Sequence, residues 1–177
     1  MTQREFLQLV AENYPGIESV LPFYCSCHSH CLPTPTPPVT PNCKQVYGSF
    51  VAQGTLNTQA GNAINFTTQN ALGPISISNG AITLQCPGTY LVTYSLNLPT
   101  SSTLTTTLNL AVGGTPVAGT QVAVNKTDTN SSSTVYGQAI INVCNVPTTL
   151  QLNTSNAIDL TGDNTNDVLG SLNVVKL

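Results

Sequence analysis

The chain has very few charged residues. Lys, Arg, Asp and Glu make up 6% of its 177 residues, against about 25% in an ordinary soluble domain. Thr, Asn, Ser and Gln supply the polarity instead. Such a surface has no basic patch for nucleic acid, and it lacks the charges that normally keep the edges of β-sheets apart. We therefore expect no nucleic-acid partner, and we expect strand edges that association covers.

Long apolar runs and histidines are scarce as well. No run approaches the roughly 20 apolar residues that cross a membrane, and the first ten residues lack the continuous apolar stretch of a signal peptide. The two histidines, His28 and His30, stand in the N-terminal part, so a Ser-His-Asp triad in the rest of the chain has no base. We expect a protein without enzymatic activity, cofactor or membrane partner.

Beyond Cys43 the apolar residues recur at every second position. The clearest segments are 90–98, 104–112 and 135–143. Turn sequences separate the segments, namely Asn79-Gly80, Pro87-Gly88 and Gly113-Gly114. A period of two indicates half-buried strands, and many short strands with regular turns are typical of a sandwich, jelly roll or barrel. The pattern predicts an all-β domain over residues 46–177.

Two segments precede this domain. In residues 1–24, the capping-box spacing of Thr2 and Glu5 and the apolar stripe that follows predict a short helix over residues 2–14, which needs a surface to dock on. Residues 25–45 form an extended connector rich in cysteine and proline. Its nine residues 33–41 favour polyproline II geometry and span on the order of 28 Å, which is enough to reach a neighbouring subunit.

The six cysteines are unevenly distributed between the connector and the domain. Four crowd the connector, and two stand alone at the ends of predicted strands. We expect disulfides between subunits, with Cys25, Cys27, Cys31 and Cys43 as donors and with Cys86 and Cys144 as acceptors on the adjacent subunit. The alternative is a bridge between Cys86 and Cys144 within one domain, which requires Cα atoms within about 7 Å. Spacing alone does not decide the connectivity.

Two groups of residues contain side chains of the types that bind metal ions. The connector holds a cluster of thiols and imidazoles, namely Cys25, Cys27, His28, His30 and Cys31. Its cysteines are closer together than in structural zinc sites, and a second pair is missing. Asp163 and Asp167 offer oxygen ligands at spaced positions, yet the segment lacks the glycine and the distal glutamate of a calcium loop. We expect no metal at either place.

The segment Pro87-Gly88-Thr89-Tyr90-Leu91-Val92-Thr93-Tyr94 resembles a central strand of the tumour necrosis factor and complement-q jelly rolls. Residues 108–120, 137–143 and 172–177 resemble the strands that follow, in the same order. Residues 46–177 as a whole are similar to the C-terminal domain of the collagen-like exosporium glycoproteins of spore-forming bacteria. No Gly-X-Y stalk precedes the domain, and Gly113 stands where that family often has Asn. The connector instead resembles that of spore appendage subunits, whose N-terminal cysteines bond to the next subunit.

The resemblance implies a ten-strand jelly roll that forms tight homotrimers on the spore surface. The apolar strand face of Tyr90 and Tyr94 would then form the core of the trimer. Residues 1–24 would dock on a spore-coat or anchor protein, and lysis of the mother cell would bring the cysteines to the oxidising exterior without a signal peptide. We therefore expect a self-assembling exosporium or appendage fibre protein. The alternative is a receptor- or carbohydrate-binding head module at a fibre tip, which would not need the cysteine connector.

Overall fold

The computed structural model describes residues 41–177 as an antiparallel β-sandwich. The predicted N-terminal helix and most of the connector lie outside the described residues. Within residues 41–177 the strands are β1 (Tyr47–Gln53), β2 (Thr55–Thr58), β3 (Thr67–Leu72), β4 (Ile75–Ser78), β5 (Ala81–Leu84), β6 (Gly88–Leu98), β7 (Leu104–Val112), β8 (Thr115–Pro116), β9 (Val122–Lys126), β10 (Ser133–Val143), β11 (Thr148–Thr154), β12 (Ile158–Thr161) and β13 (Val168–Lys176). No helix in this part of the chain has the length and apolarity needed to cross a bilayer.

Two sheets form the layers of the sandwich. Sheet I has the strand order β10-β6-β13-β1-β3, and sheet II has the order β4-β5-β11-β7-β8, with β9 also paired to β7. A separate small pair joins β12 to β2. Without that pair and the two-residue strand β8, ten strands form the two sheets, which is the number that the resemblance implied.

The alternating sequence of β6 places one set of its side chains in the core. Tyr90, Val92, Tyr94, Leu96 and Leu98 are all buried, whereas the residues between them are half-buried. Leucines of β7 and β11 in sheet II also belong to this core. The predicted strands and their alternation of apolar residues are therefore confirmed.

Glycine turns connect the strands where the sequence indicated them. Asn79 and Gly80 between β4 and β5 have φ angles of 48° and 74°, and Gly113 and Gly114 between β7 and β8 have φ angles of 57° and 78°. Two consecutive residues with positive φ form the tight turn that matches the twist of paired strands. These turns confirm the hairpin positions.

Candidate assembly surface

The outer face of sheet I carries a continuous row of apolar side chains. Successive strand pairs place Ile140 beside Leu91, Leu91 beside Val175, Val175 beside Tyr47, and Tyr47 beside Leu72. These five residues, which we call the apolar band, cross all five strands of the sheet. Ile140 is 67% exposed, and Val175 and Leu72 are each 44% exposed. A contiguous row of apolar side chains that is partly exposed is a candidate interaction surface.

A parallel row of polar side chains lies beside the apolar band. It consists of Gln138, Thr93, Asn173, Ser49 and Asn70, which are paired in that order across the same five strands. We call this row the polar band. Beyond it, two positions before Gln138, Tyr136 on β10 is 78% exposed. The polar band therefore runs between an exposed aromatic residue and the apolar band.

Hydrogen bonds within the chain satisfy some of the polar groups on this face. The hydroxyls of Ser95 and Ser171 form a hydrogen bond of 2.8 Å, and the Ser49 hydroxyl donates a hydrogen bond to Gln69 Oε1 at 3.3 Å. Within residues 41–177, no hydrogen bond engages the side chains of Thr93, Gln138 or Asn173. Among the described residues, these three side chains therefore have no hydrogen-bond partner.

Tyr90 and Tyr94 do not lie on this surface, which corrects the prediction that they form the core of a trimer. Their side chains are 0% and 2% exposed within a single chain, because they point between the two sheets. The Tyr90 hydroxyl donates to the Cys86 carbonyl at 2.7 Å, and the Tyr94 hydroxyl donates to the Thr120 carbonyl at 2.7 Å. Burial raises the pKa of both phenols. An assembly that involves β6 therefore uses the opposite face of the strand.

Adjacent apolar residues in the sequence indicate that the outer face of sheet I is partly apolar. In Ile140-Ile141, Val174-Val175 and Tyr90-Leu91, two large apolar residues are adjacent, so a strand that contains such a pair has apolar side chains on both faces. The period of two groups the residues by face but does not say which face points inward. The alternation alone therefore does not separate the face that packs in the core from the face that carries the apolar band.

The structure joins Cys43 to Cys86 within one chain, which corrects the roles predicted for both. The two Cα atoms are 5.6 Å apart, which is ordinary disulfide geometry. Cys43 is therefore not a donor and Cys86 is not an acceptor for a neighbouring subunit, because each thiol is already consumed. The alternative bridge between Cys86 and Cys144 is excluded for the same reason.

Cys144 is exposed and is the free cysteine of the described residues. It follows Val143, whose partner on β6 is Gly88, two residues after Cys86. Lys176, which pairs with Tyr90 at the same end of β6, donates from Nζ to the Cys43 carbonyl at 2.9 Å. The free thiol and the point where the connector joins the domain therefore lie at the same end of sheet I. The other predicted donors, Cys25, Cys27 and Cys31, lie outside the described residues.

Of the two groups of possible metal ligands, the structure describes only the one that contains Asp163 and Asp167. The cluster that contains His28 and His30 lies outside the described residues. Asp167 accepts hydrogen bonds from the backbone and side-chain nitrogens of Asn164 at 3.0 and 2.5 Å, so its carboxylate closes the turn. Within residues 41–177, no group of three or more His, Cys, Asp or Glu side chains could hold a metal ion.

Comparison with known proteins identifies the fold. A scan against protein-family models finds no match for the sequence, and a search of the curated proteins finds none either. Among solved structures, murine APRIL at pH 8.5 is similar, with a TM-score of 0.57 and 11% identity over 76% of this chain and 100% of that chain. The zebrafish complement 1qA globular domain is similar too, with a TM-score of 0.52 and 14% identity over 76% of this chain and 98% of that chain. The predicted tumour necrosis factor- and complement-q-like jelly roll is confirmed.

Proposed function

We propose that the protein is a structural subunit of the bacterial spore surface, which assembles as homotrimers and is cross-linked by disulfides between subunits. The apolar band on the outer face of sheet I is the observation that supports self-assembly. The spore surface as its location rests on the resemblance to the exosporium glycoproteins. The homotrimer rests on the same resemblance and on the jelly-roll fold.

The chemistry of the face favours a second copy of the chain as the partner. The apolar band and the polar band contain no charged residue, so identical copies approach without electrostatic repulsion. Five strands at spacings of about 4.8 Å, and up to 11 residues long, give the face an area on the order of 800 Å². Each partner in a stable interface buries about that area.

Cross-linking uses the remaining cysteines of the chain. We assign Cys144 as the acceptor, and Cys25, Cys27 and Cys31 as the donors from an adjacent subunit. Each bond forms when two thiols lose two protons and pass two electrons to an oxidant such as dioxygen. Because Cys144 is exposed, a connector from outside the domain has access to it.

Electrophoresis tests the cross-linking. Purified protein, boiled in detergent without reductant, should give a ladder of bands that collapses with reductant to a single band at 18.5 kDa. The Cys144→Ser variant should lose the ladder, whereas the Cys43→Ala/Cys86→Ala variant should keep it. A ladder that survives Cys144→Ser would contradict the assignment, and a monomer in both lanes would indicate that the connector bonds to its own domain.

Antibody labelling of intact spores tests the location separately. An antibody against the jelly-roll domain should label spores that have not been permeabilised. Labelling that appears only after the spore layers are opened would contradict a surface position.

A further inference from the structure

The polar band is positioned so that an assembly through the outer face of sheet I buries it. On β10, Gln138 lies two positions from Tyr136 and two positions from Ile140. Those neighbours are 78% and 67% exposed, and each lies about 7 Å from Gln138 along the strand. A partner that covers both apolar side chains therefore covers the amide between them.

Burial of the polar band has a cost that depends on the partner. An amide or hydroxyl group that loses water without gaining a hydrogen bond destabilises the complex. Thr93, Gln138 and Asn173 have no side-chain partner within residues 41–177, so a covering surface has to supply one for each. A purely apolar covering surface supplies no hydrogen-bond partner.

In a cyclic trimer, identical groups meet around the threefold axis. A polar band at that axis meets the other two copies of itself, and they supply the missing partners. Amides and hydroxyls each contain a donor and an acceptor, so identical groups satisfy one another. Pairing of these groups also depends on alignment, whereas contact between apolar side chains tolerates sliding. Buried polar groups fix register and copy number in this way in other assemblies.

We propose that the polar band determines the specificity of the self-association. Thr93, Gln138 and Asn173 pair across the interface and restrict it to one register and one number of copies, while the apolar band supplies affinity. This inference rests on the proposed function, and it names the residues that select a second copy of this chain as the partner.

Native mass spectrometry tests the proposal. Cys25, Cys27, Cys31 and Cys144 are replaced by Ser, so that association is non-covalent and the Cys43–Cys86 bond is retained. The test variant adds Thr93→Val, Gln138→Leu and Asn173→Leu. The matched control adds Thr149→Val, Gln151→Leu and Asn153→Leu, which changes the same residue types at half-buried positions of β11 in sheet II. Circular dichroism checks that each variant folds.

The outcomes separate this proposal from the proposed function. We expect the parent and the control to show one stoichiometry, and the test variant to spread over several. A single unchanged trimer in the test variant would overturn the specificity proposal and leave the homotrimer intact. A parent that is monomeric would overturn both.

A single isosteric substitution tests the role of Gln138 independently. In Gln138→Glu, ionised carboxylates meet across the interface at pH 7, so we expect at least a tenfold loss of association there. Association should return below about pH 4, where Glu is protonated and again both donates and accepts. Gln151→Glu is the control and should associate as the parent does at both pH values. Association of Gln138→Glu that does not change with pH would contradict burial of residue 138 against a second copy.

Discussion

Tyr94 and Gly137 fit each other at the β10 edge of sheet I. They are directly opposite on β6 and β10, and a Cβ atom on Gly137 would overlap the Tyr94 ring. The ring is held in place because its hydroxyl donates to the Thr120 carbonyl. The absent side chain at residue 137 is therefore what allows an aromatic residue to span the sandwich at this point.

We expect Gly137→Ala to lower the free energy of unfolding by about 1–3 kcal/mol, since a side chain forced into a packed core displaces its neighbours. Denaturant unfolding measures the change. Ser133→Ala, at an exposed position of the same strand, is the control and should stay within about 0.5 kcal/mol of the parent. Equal stability of Gly137→Ala and the parent would show that Tyr94 can move freely.

The buried phenols make stability depend on alkaline pH. Because burial raises the pKa of Tyr90 and Tyr94 above 10.0, the folded state favours their neutral forms. Their contribution is complete below the pKa of the unfolded chain and is lost as the pH rises through the folded pKa. We expect the free energy of unfolding to fall above about pH 10. In Tyr90→Phe/Tyr94→Phe this fall should be smaller, and an identical fall in both proteins would contradict the explanation.

At the scale of elements, the Cys43–Cys86 bond attaches the segment before β1 to the turn before β6. It closes a loop with a sequence separation of 43 residues, and such a bond is worth about 2–4 kcal/mol. We expect Cys43→Ala/Cys86→Ala to lower the free energy of unfolding by that amount, as measured in denaturant. Cys144→Ser should leave it unchanged within about 0.5 kcal/mol. If the double variant is as stable as the parent, the bond has no stabilising role.

The sequence predicted the strands of this fold better than it predicted their contacts. The alternation in 90–98 is a local property, so it was sufficient to identify β6 and its two faces. The partner of Cys86 depends on the fold bringing residues 43 positions apart to within 5.6 Å, which spacing alone does not reveal. The apolar band likewise exists only when five separate strands align, although the Ile140-Ile141 pair indicated an apolar outer face.

At the scale of the whole molecule, the proposed self-association accounts for both the scarcity of charge and the apolar band. The outer face of sheet I lacks the charged residues with which proteins usually protect exposed sheets from association. Strand β10 at its edge has 11 residues in unbroken register with β6 and contains neither charge nor proline. A jelly roll with such a face is suited to permanent assembly.

The mass of the protein in solution tests this central claim most directly. Light scattering on the variant with Cys25, Cys27, Cys31 and Cys144 replaced by Ser should give three times 18.5 kDa. Adding Ile140→Asp should give a folded monomer, because a carboxylate is then buried in the apolar band. Ala123→Asp, on an exposed position of β9 in sheet II, should keep the parent mass. A monomeric parent, or a trimer that survives Ile140→Asp, would contradict assembly through the outer face of sheet I.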